Sequence, residues 1–294
     1  MKPEGSVLIP FEKSRIAVHW EGPLAYDIIC FLFKTKTKFQ PCSTDASFAV
    51  KEQDGNEILC YQGDRLLFRG RAEKGALVLM DTIIHELAKT CDSGLLFHAA
   101  ALSRNGCGIL MPGQSGSGKS SLSAWLAHQG HVCLTDEMAL VRPETFEIHG
   151  FCKPIHIKDP TISGLAEILK KPDRTGIFTD SGVMPVDRGF LVDSSHLNPM
   201  TEAGSAAAGM IIFPEFNHMK NHEMLRLSPA NTGLFLMKSL INARNIPSHG
   251  FDQIALLSRR VPAYLLSYGN FSRISRDLDA LIHARTSLLL CAQG

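Results

Sequence analysis

Gly113-Gln114-Ser115-Gly116-Ser117-Gly118-Lys119-Ser120 fits the phosphate-binding pattern GxxxxGK[ST] at every fixed position, and the residues on either side of it decide the fold. Upstream, Gly108-Ile109-Leu110-Met111-Pro112 is a short apolar run that predicts a buried strand. Downstream, residues 120–128 carry apolar positions at helical spacing, and the helix is expected to stop at Gln129-Gly130. Strand, glycine loop and helix is the geometry a triphosphate needs. Glycines let successive N–H groups turn inward, and the helix N-terminus adds the positive end of its dipole. A Gly/Ser-rich linker would have no reason to be flanked in this way. The predicted nucleotide-binding set is Gly113, Ser115, Gly116, Ser117, Gly118, Lys119, Ser120 and Ser121, with Lys119 on the β and γ phosphates and the Ser120 hydroxyl on magnesium. The predicted cofactors are ATP and Mg2+.

Working outward, residues 132–135 form a strand pattern that delivers Asp136 and Glu137 at its end, soon after Lys119. A strand next to the P-loop strand would bring such a pair toward the phosphates. Phosphoryl transfer needs oxygen ligands for magnesium and a carboxylate to take the proton of the attacking hydroxyl, and these two residues suit those tasks. Residues 138–141 and 145–148, joined by the turn Arg142-Pro143-Glu144, read as a strand pair with a tight connection. Parallel P-loop sheets rely on long crossovers, so a tight connection here predicts a mixed or antiparallel sheet. His98 stands in the apolar run Leu96-Phe97-His98-Ala99-Ala100-Ala101; taken alone, such a histidine is ordinarily a satisfied core residue.

Before residue 93 the pattern changes. Strands are expected at 7–11, 15–19, near Phe48, at 57–61 and at 65–68, with helices from about Leu24 and over 76–90, giving an α+β unit without chemical motifs. The turn-rich stretch Cys91-Asp92-Ser93-Gly94 marks the boundary between a domain over 1–93 and a second over 94–294. Further on, a helix is expected at 163–169, a basic loop with Lys170, Lys171, Arg174 and Thr175, a strand at 208–213, helices at 229–242 and 251–258, a strand at 262–268 and a last helix at 276–284. The basic loop and Arg188 are further candidates for gripping phosphate or acceptor.

The bulk numbers exclude several classes. Thirty basic and 29 acidic residues in 294 give a formal charge of +1, so no global field attracts nucleic acid or an anionic membrane. The eight cysteines show no CxxC pair or zinc-finger spacing, which suits reduced thiols in a cytoplasmic protein. No stretch of some 18 apolar residues is present. Neither the NKxD guanine motif nor an LSGGQ-like signature occurs, which disfavours a GTPase or motor ATPase.

Three blocks, FHAAAL with His98, GQSGSGKSSLSAWL, and HVCLTDEMALV with Asp136, resemble the HPr kinase/phosphorylase superfamily, in particular its HPr-kinase-related serine kinases. The resemblance implies a mixed α/β (α+β) fold. Its P-loop domain would be of the HPr kinase/phosphoenolpyruvate carboxykinase type, with a smaller N-terminal α+β domain beside it. It also implies roles: Asp136 as catalytic base, His98 assisting or orienting it, Lys119 on the transferred phosphate, and Ser120 with Glu137 at the metal. Glu137 stands where the family carries Asp, and the glycine-rich signature tied to phosphorolysis is represented only by Glu147-Ile148-His149-Gly150. Kinase activity without the reverse reaction is therefore expected. The expected acceptor is a hydroxyl on a protein, peptide or small molecule, with a homo-oligomer implied by the family. The alternative is an ATP-binding switch or assembly protein with no phosphoryl transfer.

Overall fold

The strand that feeds the P-loop, β7 (Cys107–Pro112), is buried along its whole length, so both of its faces need cover. The computed structural model, which describes residues 4–34, 43–158, 165, 182–199, 204–271 and 273–291, shows how each face is covered. Alternate side chains of β7 enter two different cores, as the two-residue period of a strand requires. Ile109 and Met111 pack with Leu122 and Leu126 of α3 (Lys119–His128) and with Ile274 and Leu278 of the last helix (Ile274–Cys291). Leu110 packs on the other side with Leu236 of a helix at Pro229–Ser239 and Ile254 and Leu257 of a helix at Phe251–Arg260.

β7 is paired on one side with β6 (Leu95–Arg104), antiparallel, through a tight turn at Asn105-Gly106. Both turn residues have positive φ, 52° and 75°, the conformation that favours Asn-Gly in two-residue hairpins. On its other side β7 runs parallel to a twelve-residue strand, Ser205–Phe216, which in turn lies parallel to Ala263–Tyr268. Beyond β6 lie β8 (Val132–Thr135) and β9 (Met138–Val141), both antiparallel to it, and β9 pairs with β10 (Glu147–Gly150). The sheet is thus mixed, as the tight connections predict. The acidic pair, however, does not come from a strand next to the P-loop strand. β6 lies between, because the Asn105-Gly106 hairpin returns the chain alongside β7 before the P-loop helix can cross over.

The N-terminal unit is a five-stranded sheet, β1 (Glu4–Phe11), β2 (Ser14–Glu21), β3 (Ala46–Glu52), β4 (Glu57–Gln62) and β5 (Arg65–Arg71), in sequential order. Only the β2–β3 pairing is parallel, and α1 (Pro23–Phe33) supplies that crossover. α1 and α2 (Ala72–Lys89) bury Ile28, Leu32, Leu79 and Ile83 against this sheet. The same core continues past residue 93 into Leu96, Met138, Leu140 and Phe151, and on to Met184 and Leu191 of a small third sheet formed by Ile155–Ile157, Val183–Val186 and Gly189–Val192. Short strands at 155–157, 183–186, 189–192 and 223–226, and β6 itself, go beyond the sequence expectation. Apart from Leu165, the expected helix at 163–169 lies outside the described residues, as does the basic loop with Lys170, Lys171, Arg174 and Thr175.

Candidate active site

Register puts the candidate residues in one place. Ala99 of β6 pairs with Pro112 of β7, so His98, one residue earlier, lies across from the start of the P-loop. On its other edge, His98 pairs with Met138 and Ala101 pairs with Thr135, so the two residues between β8 and β9, Asp136 and Glu137, sit beside the same end of β6. Thr135 shapes that junction. Its hydroxyl donates to the Phe151 carbonyl (2.9 Å) and accepts from the N–H groups of Glu137 and Met138 (each 3.3 Å).

The loop is held from below. Gly116 (φ 87°) and Gly118 (φ 95°) have dihedrals that favour glycine. A Cβ on Gly118 would also collide with Tyr268 Oη and Phe216 Cβ at the ends of the two parallel strands. Tyr268 Oη donates to the Gly118 carbonyl (3.0 Å), and the Phe216 N–H donates to the Ser117 carbonyl (3.1 Å). Lys119 folds its ammonium back onto the carbonyls of Gly113 (2.6 Å) and Gln114 (3.0 Å), and Lys158 donates to Ser115 Oγ (3.0 Å).

These elements enclose a cleft of about 280 Å3 lined by P-loop residues 115, 116 and 118–121, by Asp136, Glu137 and His98, and by Asp81, His156, Lys158 and Phe216. Every predicted site residue except Gly113 and Ser117 lines it. Gly113 accepts from Lys119, while Ser117 is the buried hydroxyl beneath the loop. Arg188 does not line the cleft. It is an exposed residue of the turn between Val183–Val186 and Gly189–Val192, and its carbonyl faces His156 Nε2 at 3.1 Å.

The two carboxylates differ in character. Asp136 is buried, and its Oδ1 has no hydrogen-bond partner among the described residues. Burial raises its pKa to about 6, with Glu137 pushing the same way; Lys153, the Ser120 hydroxyl and Lys119 pull against them. Glu137 also feels burial, but Lys153 and His98 outweigh it and hold its pKa below the usual carboxylate value. Its Oε2 lies 3.3 Å from Lys153 Nζ and its Oε1 lies 3.6 Å from His98 Nε2. Burial, together with the positive charges of Lys119 and Lys153, lowers the His98 pKa against the pull of Glu137, so the imidazole is neutral at pH 7. Burial likewise lowers that of Lys119, against the pull of Asp136 and Glu137.

Lys153 escapes sequence reading. Its side chain is 0% exposed, and its ammonium is shared between Glu137 and the Pro154 carbonyl. A lysine between Phe151-Cys152 and Pro154-Ile155 is the only local trace, and its partner is sixteen residues away. Asp81, polar on a helix whose neighbours Met80, Ile83 and Ile84 are core, is another residue that sequence reading does not reach, as are His156, Lys158 and Phe216.

No protein-family model and no curated protein sequence matches the chain. Among solved structures it is similar to the Hpr(Ser) kinase/phosphatase from Coxiella burnetii, at 10% sequence identity over 68% of this chain and 99% of that chain, with a TM-score of 0.32.

Proposed function

We propose that the chain is an ATP- and magnesium-dependent kinase that moves the γ-phosphate to a hydroxyl. The observation that carries this reading is a buried carboxylate with an unpartnered oxygen in the same cleft as a P-loop. A site that only binds nucleotide has no use for a second, desolvated acid whose pKa lies near neutrality. In the proposed step the acceptor oxygen bonds to the γ-phosphorus while the bond to the β–γ bridging oxygen breaks. ADP leaves with that electron pair, and the hydroxyl proton passes to Asp136. Neutral His98, beside Glu137, helps to orient the acceptor.

The donor set fits magnesium: a P-loop hydroxyl, two carboxylates, and a cleft with room for phosphate oxygens and water. Ser120 and Glu137 would hold the ion, and Glu137 suits this because its charge persists across the neutral range. When bound, magnesium neutralises charge on the β and γ phosphates. The roles separate by titration: Asp136→Asn should lower kcat at saturating magnesium, whereas Glu137→Gln should raise the magnesium concentration for half-maximal rate. Reversed readouts would exchange the two roles. Tight, Lys119-dependent ATP binding with no transfer in any variant would replace the kinase by a nucleotide-gated switch.

A further inference from the structure

A second cavity of about 570 Å3 opens beside the cleft, and Asp81, His98 and Glu137 wall both spaces. Its volume falls within the roughly 300–1,000 Å3 of small-molecule pockets. The remaining wall comes from α2 of the N-terminal unit, through Ile84, His85, Ala88 and Lys89, and from Ile241, Arg244 and Asn245.

Charge is graded along it. Asp81 and Lys89 are eight residues apart on α2, about 12 Å at 1.5 Å per residue. Asn245 Nδ2 donates to the carbonyls of Lys89 (2.8 Å) and Cys91 (3.1 Å), so the turn carrying Arg244 sits at the end of α2 remote from Asp81. Lys89 is paired with Glu86 at 2.5 Å, whereas Arg244 is exposed and forms no ion pair among the described residues. One end of the cavity thus presents carboxylates and an imidazole beside the P-loop. The other presents a guanidinium without a counter-charge.

We propose that this cavity is the acceptor site and that it takes a small hydroxyl compound bearing a carboxylate or phosphate. The hydroxyl lies toward His98 and the cleft, and the anion lies on Arg244 with Lys89 beside it. This rests on the kinase reading and uses the same transfer step. Lys89 turns its ammonium back one helical turn onto Glu86, which shortens the 12 Å span, so a sugar-sized body fits between the two ends. It also gives the N-terminal unit a task, since α2 supplies one wall of the pocket. Cations at a helix C-terminus also balance its dipole, a role that would affect stability and leave acceptor affinity alone.

The test offers γ-labelled ATP and magnesium with five acceptors: a hexose phosphate, gluconate, the neutral hexose, a serine-containing peptide and cell extract. Wild type, Arg244→Gln, Arg244→Lys and Asp136→Asn are compared, with thermal melts of each. The expected result is Asp136-dependent transfer to an anionic acceptor. Arg244→Gln should raise its KM at least tenfold with kcat changed less than twofold, and Arg244→Lys should recover part of the loss. The preferred anion then distinguishes carboxylate from phosphate. Asp136-dependent transfer to the neutral hexose with equal KM, to the peptide alone, or with a KM indifferent to Arg244→Gln would overturn the pocket and leave the kinase standing. No Asp136-dependent product in any arm, cell extract included, would remove the kinase reading and this inference together.

Discussion

Asp136 combines two properties that pull in opposite directions. Its carboxyl is raised to about 6 by burial, against an ordinary value of 3.8, so the native state binds its proton more tightly than the unfolded chain does. Stability from this group is therefore highest below about pH 4 and falls as pH rises through 6. A shift of this size corresponds to roughly 2–3 kcal/mol above pH 6. Asp136→Asn should accordingly raise the melting temperature at pH 7.5 and change it little at pH 4, as calorimetry at the two pH values would register. Transfer by wild type should fall as pH drops through about 6, since the base is lost to protonation. The P-loop was legible in the sequence because its chemistry demands glycines in one short segment. The state of Asp136 was not, because it depends on Lys153, Lys119 and Glu137, brought together by three different segments.

At the scale of elements, the P-loop depends on the two parallel strands beneath it. Gly116 has open space around the position of a Cβ, whereas Gly118 faces Tyr268 and Phe216. Gly116→Ala should therefore cost about 1 kcal/mol of backbone strain and weaken ATP binding modestly. Gly118→Ala must also displace a strand end and should weaken binding much more, a contrast that calorimetric titration with ATP would measure. Equal losses in the two variants would contradict this support. Most regular elements were legible from period and turn chemistry, including α3, β8 and β9. β6 was not read as a strand, because buried on both faces it shows no alternation, although Asn105-Gly106 carried the hairpin signal. The three strands of the small sheet, at three or four residues each, are too short for a period to show.

Across the whole molecule, the two units predicted from the change of pattern near residue 93 share one hydrophobic core and a pinned junction. Asn242, buried, accepts from the Leu96 N–H (3.0 Å) and donates to the carbonyls of Cys91 and Gly94 (2.9 Å each). Arg142 reaches across to Glu12 (2.6 Å) and to the Ser93 carbonyl (3.0 Å). The expectation is a single cooperative unfolding transition. Asn242→Ala should lower stability by about 2–4 kcal/mol, because it strands the buried Leu96 N–H and Gly94 carbonyl, while the Cys91 carbonyl keeps its bond from Asn245. Two separate calorimetric transitions would contradict the shared core. A boundary near residue 93 is visible in the sequence as a change of pattern, while side-chain packing across it leaves no local mark. No described helix is long and apolar enough to cross a membrane.

The most direct test of the central claim is transfer of label from γ-labelled ATP, with magnesium, into an acceptor drawn from cell extract and hydroxyl-bearing small molecules. Wild type and Asp136→Asn would be measured side by side at pH 8. A labelled product formed by wild type and reduced by a factor of about 100 to 10,000 in Asp136→Asn, with ATP binding retained, is the predicted result. Equal labelling by the two proteins would contradict the assignment of Asp136 as the group that takes the proton.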